Sequence, residues 1–315
     1  MSVAFEGSTL TLVVNPAAGH GRAAKLLPRV TGALVAGLPA HTVKVVRASS
    51  WQEAAAHCRA VVVEARAGES AGRRDSLLVM GGDGMMHLGL NAAATTTVPV
   101  GLIPAGRGND FCRGVGVPTN AAAAVETIVA GGTRRIDLMS VSGNLVDGGQ
   151  HRWVGSIVST GFDGRVGYRT NQMKYSIGNL GYAVSALTEL SRFEPLAYRV
   201  RIDGVLREQT AMFIAVGNAG WFGGGMQGCP RADVADGLLD VTVIHPVSRA
   251  TLLRLLPAMF TGGYVKDPAV DLLRAREVVV DGDGLYAMAD GEELGPVPVS
   301  LRAVGDALTI YAPVS

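Results

Sequence analysis

Three short apolar runs early in the chain each end in a glycine-rich loop, and no other feature narrows the possible folds as much. The runs span residues 10–14, 77–80 and 98–103, and the loops read NPAAGHGR (15–22), GGDG (81–84) and PAGRGND (104–110). A fourth strand-like run covers Thr42–Arg47. Helices are expected over 22–36, disturbed by Pro28, over 51–67 with Ser49 or Ser50 as N-cap, over 85–94, and over 120–130, closed by Gly131-Gly132. Strands that are apolar throughout and alternate with helices call for a parallel sheet covered on both faces. Loops at the carboxyl ends of such strands share one sheet edge, where ligands bind. Glycine lets backbone N–H groups approach phosphate oxygens, and a helix N-terminus adds a favourable partial charge.

After about residue 137 the texture changes. Strand-like runs at 153–159, 198–202, 211–216, 239–244 and 277–280 are separated by Asp-Gly turns at 147, 203, 236 and 281. That pattern describes a mostly antiparallel second domain, interrupted by helical segments near 177–192 and 247–260. A length of 315 residues fits two domains at ~100–200 residues each. The expected division is 1–137 and 138–302, leaving a last run near 307–311 whose ownership the pattern does not assign.

Composition removes several function classes. Lys and Arg total 28 against 27 Asp and Glu, so the clustered basic excess of a nucleic-acid binder is missing. Three dispersed cysteines exclude a disulfide scaffold and a zinc ribbon. The start, MSVAFEGS, does not read as an export leader, and no apolar stretch reaches the ~18 residues of a membrane span, so a cytoplasmic protein is expected.

The carboxylates near the loops carry the chemistry. Asp83 sits between glycines; the bland alternative is a turn aspartate bonding its own backbone. Asn109-Asp110 reads either as part of the loop or as a helix cap, and Asp290-Gly291-Glu292 either as an acid pair or as a hairpin turn. An extended segment would point Asp290 and Glu292 to the same side. Mg²⁺ beside a nucleotide takes only one or two carboxylates, which suits Asp83 and Asp110. Of the six histidines, His87 is read as the one in a candidate loop, and none shows zinc spacing. The stretch Gly19-His20-Gly21-Arg22-Ala23-Ala24 matches a dinucleotide fingerprint, with Arg47 where an acid is usual. An NADP-dependent oxidoreductase is therefore an alternative, but it leaves GGDG and PAGRGND unexplained. Trp221 and Phe222 beside Gly223–Gly225 suit either a loop that meets lipid or a core-packed turn.

Taken in order, NPAAGHGR, GGDGMMHLGLN, IPAGRGNDFCRGVGVP, STGFDGRV, RADVADGLLDV and the late DGE resemble the diacylglycerol kinase catalytic family, which includes sphingosine kinases. The resemblance covers nearly the whole chain. It implies a Rossmann-like α/β nucleotide domain of the NAD-kinase and diacylglycerol-kinase type, a β-sandwich-like second domain, and a C-terminal strand (about 303–315) returning to the first. It implies ATP and Mg²⁺, a lipid hydroxyl as acceptor at a membrane surface, and a site in the cleft between the domains; a homodimer is compatible. By position, the nucleotide side would comprise Asn15, Pro16, Gly19, Arg22, Gly81, Gly82, Asp83, Gly84, Met85, Met86, His87, Gly106, Arg107, Asn109 and Asp110. Asp290 and Glu292 fall on the motif implicated in deprotonating the lipid hydroxyl, and Asp83 joins them as catalytic. A structural Mg²⁺ would fall at Asp233, Asp236 and Leu238. The chain departs from the family pattern at Met85, His87, Leu88 and Arg107, where Thr, Asn, Glu and Thr are usual. The expected activity is phosphoryl transfer from ATP to a lipid hydroxyl, most simply that of diacylglycerol. An NAD-kinase-like phosphotransferase and a non-catalytic nucleotide sensor are the alternatives.

Overall fold

The structure is a computed structural model that describes residues 7–161 and 194–313. The chain divides into two compact units, Met1–Leu138 with Gly305–Ser315, and Met139–Val304. The segment expected to be helical near 177–192, and most of STGFDGRV, lie outside the described residues.

The first unit is built on β1 (Thr9–Val14), β2 (Thr42–Arg47), β3 (Ser76–Gly81) and β4 (Val100–Pro104), parallel in the order β2-β1-β3-β4. Every residue of β3 and β4 is buried, as continuous apolar runs require when both faces are covered. Its helices are α1 (Ala18–Gly37), α2 (Trp51–Glu69), α3 (Asp83–Ala93), α4 (Asp110–Gly114) and α5 (Ala121–Ala130). Side chains alternate across the sheet. Leu10, Leu12, Leu78 and Met80 share one core with Leu27 and Leu34 of α1 and Val125 and Ile128 of α5. Val79 points the other way, against Gly89 of α3, where a Cβ would come within 2.9 Å of it. Ser50 caps α2, its hydroxyl accepting the Glu53 N–H, and Asn120 caps α5 in the same way. Residues 19–21 at the start of α1 have left-handed φ, so regular helix begins at Arg22 and then runs through Pro28.

The second unit begins within β5 (Thr133–Gly143), which pairs antiparallel with β6 (His151–Val154). β7 (Ile157–Gly161), β8 (Leu196–Ile202), β9 (Val205–Ala211), β10 (Phe213–Gly217) and the two-residue strands β11 (Trp221–Phe222) and β12 (Met226–Gln227) follow. Then come β13 (Leu239–Ile244), α6 (Arg249–Met259), β14 (Val270–Ala275), β15 (Glu277–Asp281), β16 (Tyr286–Ala289), β17 (Glu292–Pro296) and β18 (Val299–Tyr311). One antiparallel layer has the order β14-β13-β10-β7-β16-β17, and a second joins β9, β8, β15 and the first part of β18. Tyr198, Val200, Val278, Val280 and Leu301 of one layer meet Ile214, Val241, Ala287 and Ala289 of the other in a single core. The opposite face of the six-stranded layer carries Leu252, Leu255 and Met259 of α6, with Phe213, Phe222 and Met226. Phe222 and Met226 are thus buried, so the Trp221–Met226 hairpin is largely a core turn. β18 ends in the first unit, where Ile310 pairs in parallel with Val100 of β4.

Leu78 is fully buried between β4 and α5, and its Cδ2 fills the space beside Gly101. Leu78→Ala leaves a cavity there, and is expected to cost about 2–5 kcal/mol of unfolding free energy. A chemical-denaturation midpoint compared with wild type measures it; an unchanged midpoint contradicts this packing.

Candidate functional site

The three glycine loops of the first unit touch one another through backbone. The Gly81 carbonyl accepts the N–H groups of Ala105 (2.7 Å) and Gly106 (3.1 Å), which ties the loop after β3 to the loop after β4. A Cβ on Gly106 would stand 2.4 Å from the Cα of Gly82, so Gly106 has no room for a side chain, and one on Gly82 would already be tight at 3.3 Å from the Gly106 Cα. The loop after β1 closes on the same place. Gly19, His20 and Gly21 have φ of 59°, 58° and 80°, and a Cβ on Gly19 would lie 2.2 Å from the Ala105 carbonyl oxygen. Arg22 Nη1 donates to the Gly106 carbonyl at 3.4 Å. Asn15 turns the chain out of β1 by accepting the Ala17 N–H on its Oδ1 (3.0 Å), and the Pro16 carbonyl accepts from Ala24. Asn109, itself at a φ of 52°, grips Gly106 twice, Oδ1 accepting its N–H and Nδ2 donating to its carbonyl.

α3 begins at Asp83 directly behind these loops, with Gly82 as its extended N-cap. Its first-turn N–H groups and dipole place partial positive charge at the glycine cluster. Asp83 reaches beyond its own turn. Its Oδ1 accepts the N–H of Phe111, 28 residues away, at 3.1 Å. Asp110 is buried, with the Arg113 guanidinium 4.0 Å from its Oδ1. Cys112 lies in the same place; burial, reinforced by the nearby Asp83 charge, pushes its thiol far up, so it stays protonated and is no nucleophile.

Of the residues that the sequence assigns to the nucleotide side, Asn15, Pro16, Gly19, Arg22, Gly81, Gly82, Gly106, Arg107 and Asn109 lie in these loops, with Asp83, Gly84 and Asp110 at the helix starts beside them. Met85, Met86 and His87 are different: their side chains are 5%, 0% and 5% exposed. The Met85 and Met86 N–H groups close the first turn of α3 on the Gly82 carbonyl. His87 stacks on Trp51 with ring centroids 6.2 Å apart and lies beside Asn91, its helical neighbour. The histidine that stands in a loop is His20. Its ring is 3.1 Å from Nη2 of the exposed Arg107, bridging the loops after β1 and β4. The left-handed run Gly-His-Gly is the signal that points to it.

In the second unit the two late acids part company. Asp290 and Gly291 form the turn between β16 and β17 with φ of 49° and 83°, so the segment is not extended at Asp290. The Asp290 carboxylate is an anchor: Oδ1 accepts the N–H groups of Ser156 (2.9 Å) and Ile157 (3.3 Å), and Oδ2 that of Gly155 (3.0 Å). Asn218, fully buried, continues the knot by donating from Nδ2 to the Gly155 carbonyl. Glu292 opens β17 and is exposed to solvent.

The Asp233–Leu238 loop holds its acids in short turns. Asp233 Oδ1 accepts the Ala235 N–H and Asp236 Oδ1 the Leu238 N–H. The other Asp236 oxygen contacts the guanidinium of Arg274, which also reaches Asp240 at 3.6 Å from the facing register position on β14. Burial pushes the Asp240 carboxyl up to about 6, against the opposing charge of Arg231. Among the described residues no three His, Cys, Asp or Glu side chains converge on a metal position. The charge that a Mg²⁺ would balance at Asp236 is already balanced by Arg274, so these residues do not fit the structural metal that the resemblance implies.

Residues 9–141 match the diacylglycerol kinase catalytic domain, and residues 156–312 match the YegS C-terminal NAD kinase beta sandwich-like domain. A diacylglycerol kinase of Mycobacterium tuberculosis is 38% identical over 96% of this chain and 95% of its own length. A probable lipid kinase YegS-like protein of Stenotrophomonas maltophilia is 33% identical over 54% of this chain and 56% of its own. Among solved structures, a diacylglycerol kinase of Bacillus anthracis superposes with a TM-score of 0.70 at 21% identity, covering 99% of this chain and 98% of that one. Yeast NADH kinase in complex with NADH superposes at 0.54 with 10% identity, over 98% of this chain and 84% of that one. The two superpositions establish the fold.

The contrast between the two late acids is testable without any substrate. Asp290→Ala strips acceptors from three backbone N–H groups and is expected to cost about 1–3 kcal/mol of stability. Glu292→Gln is expected to leave the melting temperature where it is. Equal melting temperatures for wild type and Asp290→Ala remove the anchoring role.

Proposed function

Since the chain belongs to the diacylglycerol kinase family and is a lipid kinase, we propose that it transfers the γ-phosphoryl group of ATP to the free hydroxyl of diacylglycerol, giving phosphatidic acid. The observation that carries this reading is the glycine cluster of the first unit. Three strand-end loops and the N-terminus of α3 meet there through backbone, with Arg22 and Arg107 beside them. Phosphoryl transfer asks the protein chiefly for positioning and charge stabilisation, and such a cluster supplies both.

Backbone N–H groups of the loops bind and orient the phosphate chain. The guanidinium groups of Arg22 and Arg107 are permanent, planar donors that neutralise phosphate oxygens. Asp83 is a hard oxygen donor of the kind Mg²⁺ takes, and its aim is fixed by the Phe111 N–H. Mg²⁺ bound with ATP adds charge neutralisation at the transferring group. Glu292, rather than the anchored Asp290, accepts the proton of the lipid hydroxyl, because its carboxylate stands in solvent at the head of β17. The acceptor resides in a membrane, whereas among the described residues no helix is long and apolar enough to cross one. In this reading the enzyme reaches its acceptor from the membrane surface.

Purified protein incubated with labelled ATP, Mg²⁺ and a panel of diacylglycerol, a sphingoid base, an isoprenoid alcohol, NAD and NADH tests the reading. Label is expected in phosphatidic acid; label in the dinucleotides alone, or in another lipid alone, replaces it. Glu292→Gln is expected to lower kcat by about 10²–10⁴-fold with ATP affinity unchanged. Asp83→Asn keeps an acceptor for the Phe111 N–H and is expected to lower turnover by about 10²–10³-fold at an unchanged melting temperature. Wild-type kcat in either variant removes that residue from the chemistry.

A further inference from the structure

The outward face of α6 combines apolar and basic side chains in a way that the core of its unit does not use. Leu252, Leu255 and Met259 are buried against the six-stranded layer. Arg249, Leu253, Pro257 and Phe260 follow one another along the opposite side at helical spacing, and all are exposed. Leu253 is 46% and Phe260 53% exposed, two of the few large apolar side chains in solvent among the described residues. The neighbouring hairpin meets Phe260 with glycine backbone: Gly223, Gly224 and Gly225 form its turn with left-handed φ, and a Cβ on Gly225 would stand 4.0 Å from the ring.

The exposed charge of this face is predominantly basic. Residues 245–266 contain Arg249, Arg254 and Lys266 and no Asp or Glu. Two acids border it: Asp267 accepts from Arg254 at 2.5 Å, and Asp271 lies 2.8 Å from His245. Arg249 and Lys266 stand exposed beyond them. A second copy of the chain docking by twofold symmetry would set this basic face against itself, which like charges oppose. An anionic lipid surface is complementary in both respects, since headgroups take the basic side chains and the acyl boundary takes Leu253 and Phe260.

We infer that the α6 face, with Leu253, Phe260 and Arg249 at its centre, is the surface by which the protein docks on anionic membranes. The inference rests on the reading of the protein as a diacylglycerol kinase, whose acceptor is embedded in the bilayer and whose product is an anionic lipid. Docking through α6 concentrates the enzyme where its acceptor is and strengthens as product accumulates.

Sedimentation with vesicles of phosphatidylcholine, alone or mixed with phosphatidylglycerol, tests the surface without any catalysis. Wild type is expected to partition onto the mixed vesicles, and Leu253→Ser with Phe260→Ser to reduce that partition at least about tenfold. Arg249→Glu is expected to remove the preference for the anionic lipid while keeping the fold. Turnover on a short-chain diacylglycerol dissolved as monomers is expected to be equal in all three proteins. Vesicle binding by the double variant at the wild-type level overturns the inference. So does a wild-type dimer that the double variant dissolves while vesicle binding persists, for then the face belongs to a second copy. Vesicle binding lost in the variant, from a wild type that phosphorylates no diacylglycerol, supports the surface and refutes only the proposed acceptor.

Discussion

One carbonyl organises the candidate nucleotide site. Gly81 ends β3, and its oxygen accepts two consecutive N–H groups from the loop after β4. That pair of bonds draws the Gly82 and Gly106 backbones to a separation at which a methyl group has no room. The loop after β1 then seats Gly19 on the Ala105 carbonyl. Because the contacts are made by main chain, side chains nearby are released for other work. Met85, Met86 and His87 turn inward and pack α3 into the unit. This explains how the chain departs from its family at positions 85 and 87 and still builds the cluster: the bonds that close it are made by main-chain N–H and C=O groups, which do not depend on the side chain there.

The second unit applies the opposite economy, with one side chain holding several stretches of main chain. Asp290 ties Gly155, Ser156 and Ile157 to the β16–β17 turn, and Asn218 extends the tie to the start of the β11 hairpin. A carboxylate engaged by three N–H groups is an expensive group to move and a poor one to spend on proton transfer. Glu292, two residues on, is exposed to solvent at the head of β17. Two acids in one short motif thus divide into a part that fixes the turn and a part that faces the solvent.

The strands of the first unit were legible because burial on both faces makes β3 apolar from Leu77 on and β4 apolar throughout, and helix caps such as Ser50 and Asn120 could be read from local chemistry. The helix across Pro28 was legible too, but not the regularity of its path there, which packing of Leu27, Val30 and Leu34 maintains despite the lost backbone bond. What stayed hidden in the site depends on partners distant in sequence. Asp83 looks like a turn residue until Phe111 is brought to it, and Asp236 looks like a metal ligand until β14 sets Arg274 opposite. His20 could be read from its place between two glycines in the first loop, whereas its approach to Arg107, 87 residues away, could not.

β18 has a consequence for how the protein comes into being. The first unit's sheet ends at β4, and the strand that covers that edge, reaching Val100 through Ile310, is made from the last residues of the chain. Chain synthesis proceeds from the N-terminus, so the nucleotide half waits with an open edge while the whole second unit is being translated. The strand that completes it is translated only after the second unit. A product of premature termination, even one that includes all three glycine loops, leaves that edge unsealed, and quality control has an exposed strand to recognise.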